Sequence, residues 1–459
     1  MRLPQYFDSL RHKNISVIGA GISNRPLICA LLRAGLSVKI FDKAPYELNA
    51  EFYKSIAEFS PEIITGEDYL QQLDGDIIFR TPGLHPFHPA LQRAARAGAV
   101  LTSEMEVFFS LCPCKTIAVT GSDGKSTTST IIAELLKAAG CTVHLGGNIG
   151  KPLLTEVDSF KAEDIAVLEL SSFQLHSMVC RPTVSVITNI SPNHLDVHPS
   201  YQDYIDAKKQ IFTHQGQGST LVLNADNEIT ASFKNSFAGE VLCFSRRAAV
   251  ENGFYCGADG IIYSSAGEKI LPASDIRIPG AHNVENFLAA FCAVRGYVSA
   301  DIMAGVAGEF SGVPHRLETF LVRHNVTFIN DSIASGPNRT IAGLACFSQK
   351  VILVAGGKDK GLSFAALGEE ICRRCKKVFL SGPTSEAIAA AIRASALCTP
   401  GEPQVKIFAD FSEMVKAACD AAEEGDTVLF SPASTSFDRF KNFEQRGLYF
   451  KKIVEEYFQ

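Results

Sequence analysis

The chain has 459 residues, 46% apolar and 20% charged, with 43 Lys and Arg against 49 Asp and Glu for a net charge of −6. This length allows about three domains, and the apolar content excludes a mainly disordered chain. The charge balance excludes a general electrostatic grip on nucleic acid or an anionic membrane, and no apolar run approaches the roughly 18 residues of a spanning helix. Met1 to Lys13 lacks the apolar core and small-residue cleavage site of a signal peptide, so a soluble, cytosolic protein is expected. The thirteen cysteines are odd in number and scattered, which predicts no disulfide framework. Cys112 and Cys114 are too close for an ordinary two-pair zinc site, and Cys372 and Cys375 have no second pair beside them.

The first predicted strand, Ile15 to Ile18, runs into a Gly19-Ala20-Gly21 turn, a helix from Pro26 to Ala34 stopped by Gly35, and a second strand, Ser37 to Phe41, ending at Asp42. An acid about twenty positions past the glycines suits a dinucleotide fingerprint, but Asn24 holds the third glycine position. Strands at Ile63 to Ile64 and Asp76 to Phe79, followed by Thr81-Pro82-Gly83, continue the alternation to a connector at Cys112-Pro113-Cys114. The first domain is expected to span residues 1–112.

The pattern restarts with the strand Thr116 to Thr120, the turn Gly121-Ser122-Asp123-Gly124-Lys125-Ser126 and a helix from Thr127 to Ala139. A phosphate loop belongs between such a strand and helix. Its glycines let backbone N–H groups turn toward an anion, Lys125 supplies a point charge, and Ser126 can ligate magnesium. The loop is shorter than the common G-x-x-x-x-G-K-[ST] form, because Val119 stands at the first glycine position. Strands follow at Ile165 to Leu170, Val184 to Thr188 and Leu221 to Leu223. Glu169 closes the first of these, where a carboxylate points into a ligand crevice and is a candidate magnesium ligand. His194, in Asn193-His194-Leu195-Asp196 after the next strand, is a second candidate. Tyr204, Lys208 and Phe212 fall on one helical face, for which periodicity alone suggests a snorkelling lysine. His282, Asn283 and Asn286 precede a helix predicted from Phe287 to Val294 and suit either capping or nucleotide contact. This second domain is expected to cover 113–313.

The last third, 314–459, alternates strands at Val326 to Ile329, Val351 to Val354, Val378 to Leu380, Val405 to Phe408 and Val428 to Phe430 with helical stretches. Asn330-Asp331-Ser332, Gly356-Gly357-Lys358-Asp359-Lys360 and Ser431 to Phe443 follow strands, with groups able to hold a carboxylate or a sugar.

Taken in order, the phosphate loop Gly121 to Thr127, Gly147-Asn148-Ile149-Gly150, Glu169 to Gln174, Asn193 to Asp196, Ala207-Lys208, His282-Asn283, His315-Arg316 and Asn330-Asp331-Ser332 resemble the Mur ligases over nearly the whole chain. The opening glycine unit and the closing segment Ser436 to Gly447 are similar to the members that add D-glutamate. The resemblance implies an α/β protein of three domains: an N-terminal Rossmann-like domain for the UDP substrate, a central P-loop-type mononucleotide-binding ATPase domain, and a C-terminal Rossmann-like domain for the amino acid. It implies ATP and two magnesium sites, no NAD, and amide formation between UDP-N-acetylmuramoyl-L-alanine and D-glutamate by a monomer of the bacterial cytoplasm.

By the same resemblance, Gly121, Ser122, Asp123, Gly124, Lys125, Ser126, Thr127, Asn283, Asn286, Arg316 and Asp331 would bind ATP. Ser126, Glu169, His194 and a carbamylated Lys208 would hold metal, with Lys125, His194 and Lys208 catalytic. Ile22, Ser23, Asp42, Thr81, Pro82, Gly83, Asn148, Ser171 and Gln174 would contact the UDP substrate. Ser335, Lys360, Ser436, Phe437 and Phe443 would frame D-glutamate. Two positions depart from the family pattern. Ile333 stands where many members carry lysine, and Asp123 replaces the usual Asn or Thr. No Asp-Asn-Pro-Arg segment of the kind that selects diaminopimelate is present. Competing readings are a sister Mur ligase or folylpolyglutamate synthetase, an NAD-dependent oxidoreductase using the first glycine turn, and a nucleotide-binding regulator without catalysis.

Overall fold

The computed structural model describes every residue except Ile22, residues 194–197, Pro279, Lys360 and Pro400. Three sheets, mostly of parallel strands, carry the fold. The first comprises β1 (Ile15–Ile18), β2 (Val38–Asp42), β3 (Glu62–Thr65), β4 (Ile77–Phe79) and β5 (Val100–Thr102), ordered β3-β2-β1-β4-β5 with every pair parallel. The order reverses at β1, so the turns after β1 and β4 open on a crevice.

The second sheet holds β6 (Lys115–Thr120), β7 (Val143–Gly147), β8 (Ile165–Glu169), β9 (Val184–Ile187), β10 (Thr220–Asn224), β11 (Glu240–Ser245), β12 (Gly253–Cys256), β13 (Ile261–Ser264) and β14 (Lys269–Pro272). Its order is β14-β13-β12-β11-β10-β9-β6-β8-β7, and only the β12–β13 and β13–β14 pairs are antiparallel. Here β6 lies at the reversal, between β8 and β9, which brings the loops after all three strands to one edge. β7 and β11 to β14 carry no clear strand signal in the sequence. Two glycines end β7, and the outer strands are short and partly exposed, so neither shows a clean apolar period.

These two sheets form one compact unit, Met1–Phe310. Alternation along β6 explains how. Ala118 faces a core that also takes Val17, Leu31 and Phe79 from the first sheet's layers, with Phe108, Leu154, Leu168 and Leu223. Ile117 and Val119 face the other way, beneath helices Lys125–Ala138, Ala281–Ala293 and Ala300–Glu309, which contribute Ile131, Phe287, Phe291 and Met303. The connector at Cys112 to Cys114 therefore separates two sheets without separating two cores.

The second unit, Ser311–Gln459, is a sheet of β15 (Glu318–Arg323), β16 (Val326–Asn330), β17 (Val351–Ala355), β18 (Cys375–Ser381), β19 (Gln404–Phe408) and β20 (Thr427–Phe430), ordered β15-β16-β20-β17-β18-β19. All pairs are parallel except the β15–β16 hairpin. Leu353, Leu380 and Leu429 pack on one face, and Ile352, Val354 and Phe430 on the other. All thirteen cysteines are free thiols. Among the described residues no helix is long and apolar enough to cross a membrane.

Candidate active site

The turn after β6 is shaped by two glycines at positive φ, each with a side chain packed where a Cβ would stand. Gly121 has φ +150°, and a Cβ there would stand 1.9 Å from Thr188 Oγ1. At Gly124, φ is +79° and the added atom would stand 2.3 Å from Asn286 Oδ1. Asn189 braces the loop by accepting from the N–H groups of Ser122 (2.9 Å) and Asp123 (3.0 Å), while the Thr188 hydroxyl donates to the Asp123 carbonyl at 2.5 Å. The helix begins at Lys125, two residues earlier than its apolar period suggested, with Gly124 as N-cap, so Lys125 and Ser126 occupy the first turn. Lys125 Nζ folds over the loop and donates to the carbonyls of Gly121 (2.9 Å) and Ser122 (2.8 Å). Asp123 has an exposed side chain and Thr127 is half-buried. An oriented loop, a helix N-terminus and an ammonium group together make an anion cradle.

Beside the cradle lies a carboxylate centre. Glu169, at the end of β8, is 2% exposed and accepts from Ser126 Oγ (2.6 Å) and from Asn148 Nδ2 (2.9 Å). Gly147 turns the chain over it with φ +96°, where a Cβ would meet the Glu169 carbonyl oxygen at 2.3 Å. A hydroxyl, a carboxylate and a side-chain amide are hard oxygen donors, so this set fits magnesium. His194 lies outside the described residues.

Lys208 does not snorkel. Its side chain, on helix Tyr201–Thr213, is 1% exposed, with Nζ donating to the Gly121 carbonyl at 2.6 Å and standing 4.6 Å from the Tyr204 ring centre. Burial first, and the charge of Lys125 second, push its pKa well below the ordinary lysine value. Asn283 and Asn286 lie inside helix Ala281–Ala293 rather than before it. Asn286 accepts from Thr128 Oγ1 (3.2 Å) and donates to Asn283 Oδ1 (3.1 Å), which holds it against Gly124.

Around the first sheet, Asp42 is committed to the backbone, accepting from the N–H groups of Ala20 (2.6 Å) and Ala44 (2.8 Å). Asn24 fills the third glycine position and ties the same turn by donating to the carbonyls of Ile18 (2.9 Å) and Gly19 (3.2 Å). Thr81 packs against Gly19, Pro82 is half-buried, and Ser23 and Gly83 are exposed. Ile22 is outside the described residues. Ser171 and Gln174 cap each other across a short helix, the Ser171 hydroxyl accepting from the Gln174 N–H (3.2 Å) and the Gln174 amide oxygen from the Ser171 N–H (2.9 Å).

In the second unit, Asp331 follows β16 and accepts from Ser431 Oγ (2.7 Å) and the Leu317 N–H (3.2 Å). Burial pushes its pKa up to about 6. Arg316 is half-buried. Ser335 is half-buried, Ser436 buried and Phe437 62% exposed, while the carbonyl of half-buried Phe443 accepts from Ser332 Oγ at 2.7 Å. Lys360 is outside the described residues. Ile333 puts no cation at this position, and the exposed Arg339 Nη1 donates to the Ile333 carbonyl at 3.3 Å.

The residue that sequence reasoning missed is Arg446. It is 1% exposed and binds Ser332 Oγ (3.1 Å), the Ser332 carbonyl (2.8 Å) and the Ser434 carbonyl (2.9 Å), joining the loops after β16 and β20. Its signal was a lone arginine on the buried face of helix Phe443–Tyr457, next to Gly447 and one turn from Phe450.

The chain is similar to known proteins in sequence and in fold. The family model described as Mur ligase middle domain matches residues 119–294, and the one described as Mur ligase, glutamate ligase domain, matches residues 315–434. The chain is 46% identical to a UDP-N-acetylmuramoylalanine–D-glutamate ligase of Ruminiclostridium cellulolyticum, over 99% of this chain and 98% of that protein. It is also 46% identical to the enzyme of the same name from Acetivibrio thermocellus, with the same coverage. Among solved structures, the UDP-N-acetylmuramate-alanine ligase of Thermotoga maritima shares the fold, with a TM-score of 0.55 at 18% identity, covering 97% of this chain and 99% of that one. The chain belongs to the Mur ligase family, whose members are ATP-dependent enzymes that form C–N bonds.

Proposed function

We propose that the chain joins D-glutamate to UDP-N-acetylmuramoyl-L-alanine with consumption of ATP, working as a monomer in the bacterial cytoplasm during peptidoglycan precursor synthesis. One observation carries the reading: the anion cradle ending in Lys125 adjoins the Glu169–Ser126 centre, and buried Lys208 is bonded to the same loop. The names of the relatives support D-glutamate as the incoming amine.

On this reading the carboxylate of the muramoyl-alanine substrate attacks the γ-phosphorus of ATP, and ADP departs. The D-glutamate amine then attacks the acyl-phosphate carbonyl, and the tetrahedral intermediate expels phosphate. Such a transfer is catalysed chiefly by positioning and charge neutralisation. The loop Gly121 to Thr127, at the N-terminus of its helix, holds the phosphates, Lys125 balances charge on the transferring group, and Asn283, Asn286, Arg316 and Asp331 are assigned to ATP. Ser126, Glu169, His194 and Lys208 would hold two magnesium ions, which when bound neutralise phosphate charge. Burial favours the neutral form of the Lys208 amine, the form that adds to CO2 with loss of one proton; the resulting carbamate is an anion suited to a metal.

Residues 1–112 are assigned to the UDP substrate, 113–313 to ATP and 314–459 to the amino acid. Ile22, Ser23, Asp42, Thr81, Pro82 and Gly83, with Asn148, Ser171 and Gln174, take the UDP substrate. Ser335, Lys360, Ser436, Phe437 and Phe443 take D-glutamate. The test is phosphate release from ATP with UDP-N-acetylmuramoyl-L-alanine and magnesium, comparing D-glutamate, L-glutamate, diaminopimelate, lysine and no amino acid. Release with D-glutamate alone is expected. Release with another amine would move the protein to a sister step, and silence with all five would overturn the catalytic reading.

A further inference from the structure

Away from the cradle, the first unit gathers three histidines around one carboxylate. His85 follows the Thr81–Gly83 turn, His176 caps helix Ser172–Leu175, and Asp203 lies in the first turn of helix Tyr201–Thr213. One ligand atom from each of His85, His176 and Asp203 lies within 4.8 Å of the others. Asp203 bonds His176 Nε2 at 2.8 Å through one oxygen and His198 Nδ1 at 2.6 Å through the other. His198 is fully buried in its side chain, bonds Ser172 Oγ at 3.0 Å, and stacks on Phe173 with ring centres 5.3 Å apart. The carboxylate is thus fixed from behind.

Among the described residues, two nitrogens of this cluster are buried without a hydrogen-bond partner, His85 Nε2 and His176 Nδ1. The His176 side chain is only 7% exposed, and the two rings meet edge-on with centres 4.8 Å apart. A buried ring nitrogen left unpaired bears its desolvation cost without compensation. The unpaired His85 Nε2, on a ring set against the His176–Asp203 pair, points to a ligand common to the three residues. Imidazole nitrogens with one carboxylate suit a borderline-soft divalent ion and not magnesium, which prefers oxygen. Asp203 is held from the far side by His198 Nδ1, which leaves its other oxygen beside His176 Nε2 as a pair of donors facing His85.

We propose that His85, His176 and Asp203 bind one divalent transition-metal ion of the zinc class, with His198 as the residue that positions Asp203. Binding through His85 Nε2 places the ring proton on Nδ1, at the expense of the long 3.3 Å bond that Nδ1 now accepts from the Phe87 N–H. The ion would pin the segment after β4 to the helices of the second sheet. The three groups belong neither to the oxygen-rich centre at Ser126 and Glu169 nor to the residues assigned to substrate.

The experiment titrates untagged, chelator-stripped full-length protein with Co2+ as the spectroscopic probe and with Zn2+, whose bound equivalents are counted after gel filtration. Visible ligand-field absorption and one equivalent of zinc are expected. Both should be lost, with affinity at least tenfold weaker, in His85→Ala and His176→Ala, and both should survive in Glu169→Gln, which changes only the oxygen-rich centre. Circular dichroism establishes that each variant is folded; His85 lies in a loop, so His85→Ala decides the matter if His176→Ala does not fold. Absence of the absorption, or its persistence in folded His85→Ala, would overturn the site.

Discussion

Lys208 carries the sharpest expectation at the scale of single residues. Its burial beside the Gly121 carbonyl disfavours the charged form of the amine. If its working form is a carbamate, Lys208→Ala loses turnover by about a hundredfold or more, and added small carboxylates restore part of it by supplying an anion in the vacated space. Phosphate-release assays with and without formate or acetate check this, and undiminished turnover in the alanine variant would refute it. The lysine itself was legible in the sequence as one member of an aromatic helical face. Its burial was not, because a 3.6-residue period says which residues share a face but not what covers it. Arg446 illustrates the same gap, since its three acceptors lie on loops 12 and 114 positions away.

Secondary-structure elements determine how firmly those residues are held. The turn into helix Lys125–Ala138 depends on Gly124, whose missing side chain leaves room for Asn286. Gly124→Ala should destabilise the protein by more than the roughly 1 kcal/mol of a left-handed alanine. Adding Asn286→Ala should recover the steric part, giving a coupling of about 1 kcal/mol in a urea-unfolding cycle. Additive losses would show that the two positions do not compete for space.

Helix Glu104–Leu111 offers a test free of the active site. Glu104 is buried, accepts from the Leu154 N–H at 3.0 Å, and has its pKa raised by burial to about 7. The folded chain then keeps a proton that the unfolded chain releases from the model-compound value of 4.5 upward, so stability falls as pH rises from there to about 7. Glu104→Gln mimics the protonated acid and should remove this slope, gaining on the order of 3 kcal/mol relative to the parent above pH 7. Parallel pH profiles of the two proteins would contradict it.

For the molecule as a whole, the distribution of cores predicts how it unfolds. The first two sheets share one apolar cluster, whereas the third sheet is sealed by its own clusters on both faces. Calorimetry should therefore resolve two transitions rather than three. Phe108→Ala should lower one of them and Leu353→Ala the other, each by about 3–4 kcal/mol of local stability. A single transition shifted equally by both substitutions would reject this division.

Three runs of strand and helix, the glycine turn with Lys125, and Glu169 at a strand end were all determined by the sequence, because each rests on spacing along a few consecutive residues. Tertiary structure alone decided that Ser126, Asn148 and Lys208 converge on the loop after β6 and its neighbour β8, that Asp42 braces its own glycine turn, and that two histidines and an aspartate meet outside the cradle. Those meetings depend on the order of strands in the sheets and on side chains excluded from water, which residues distant in sequence impose on one another only when the chain has folded.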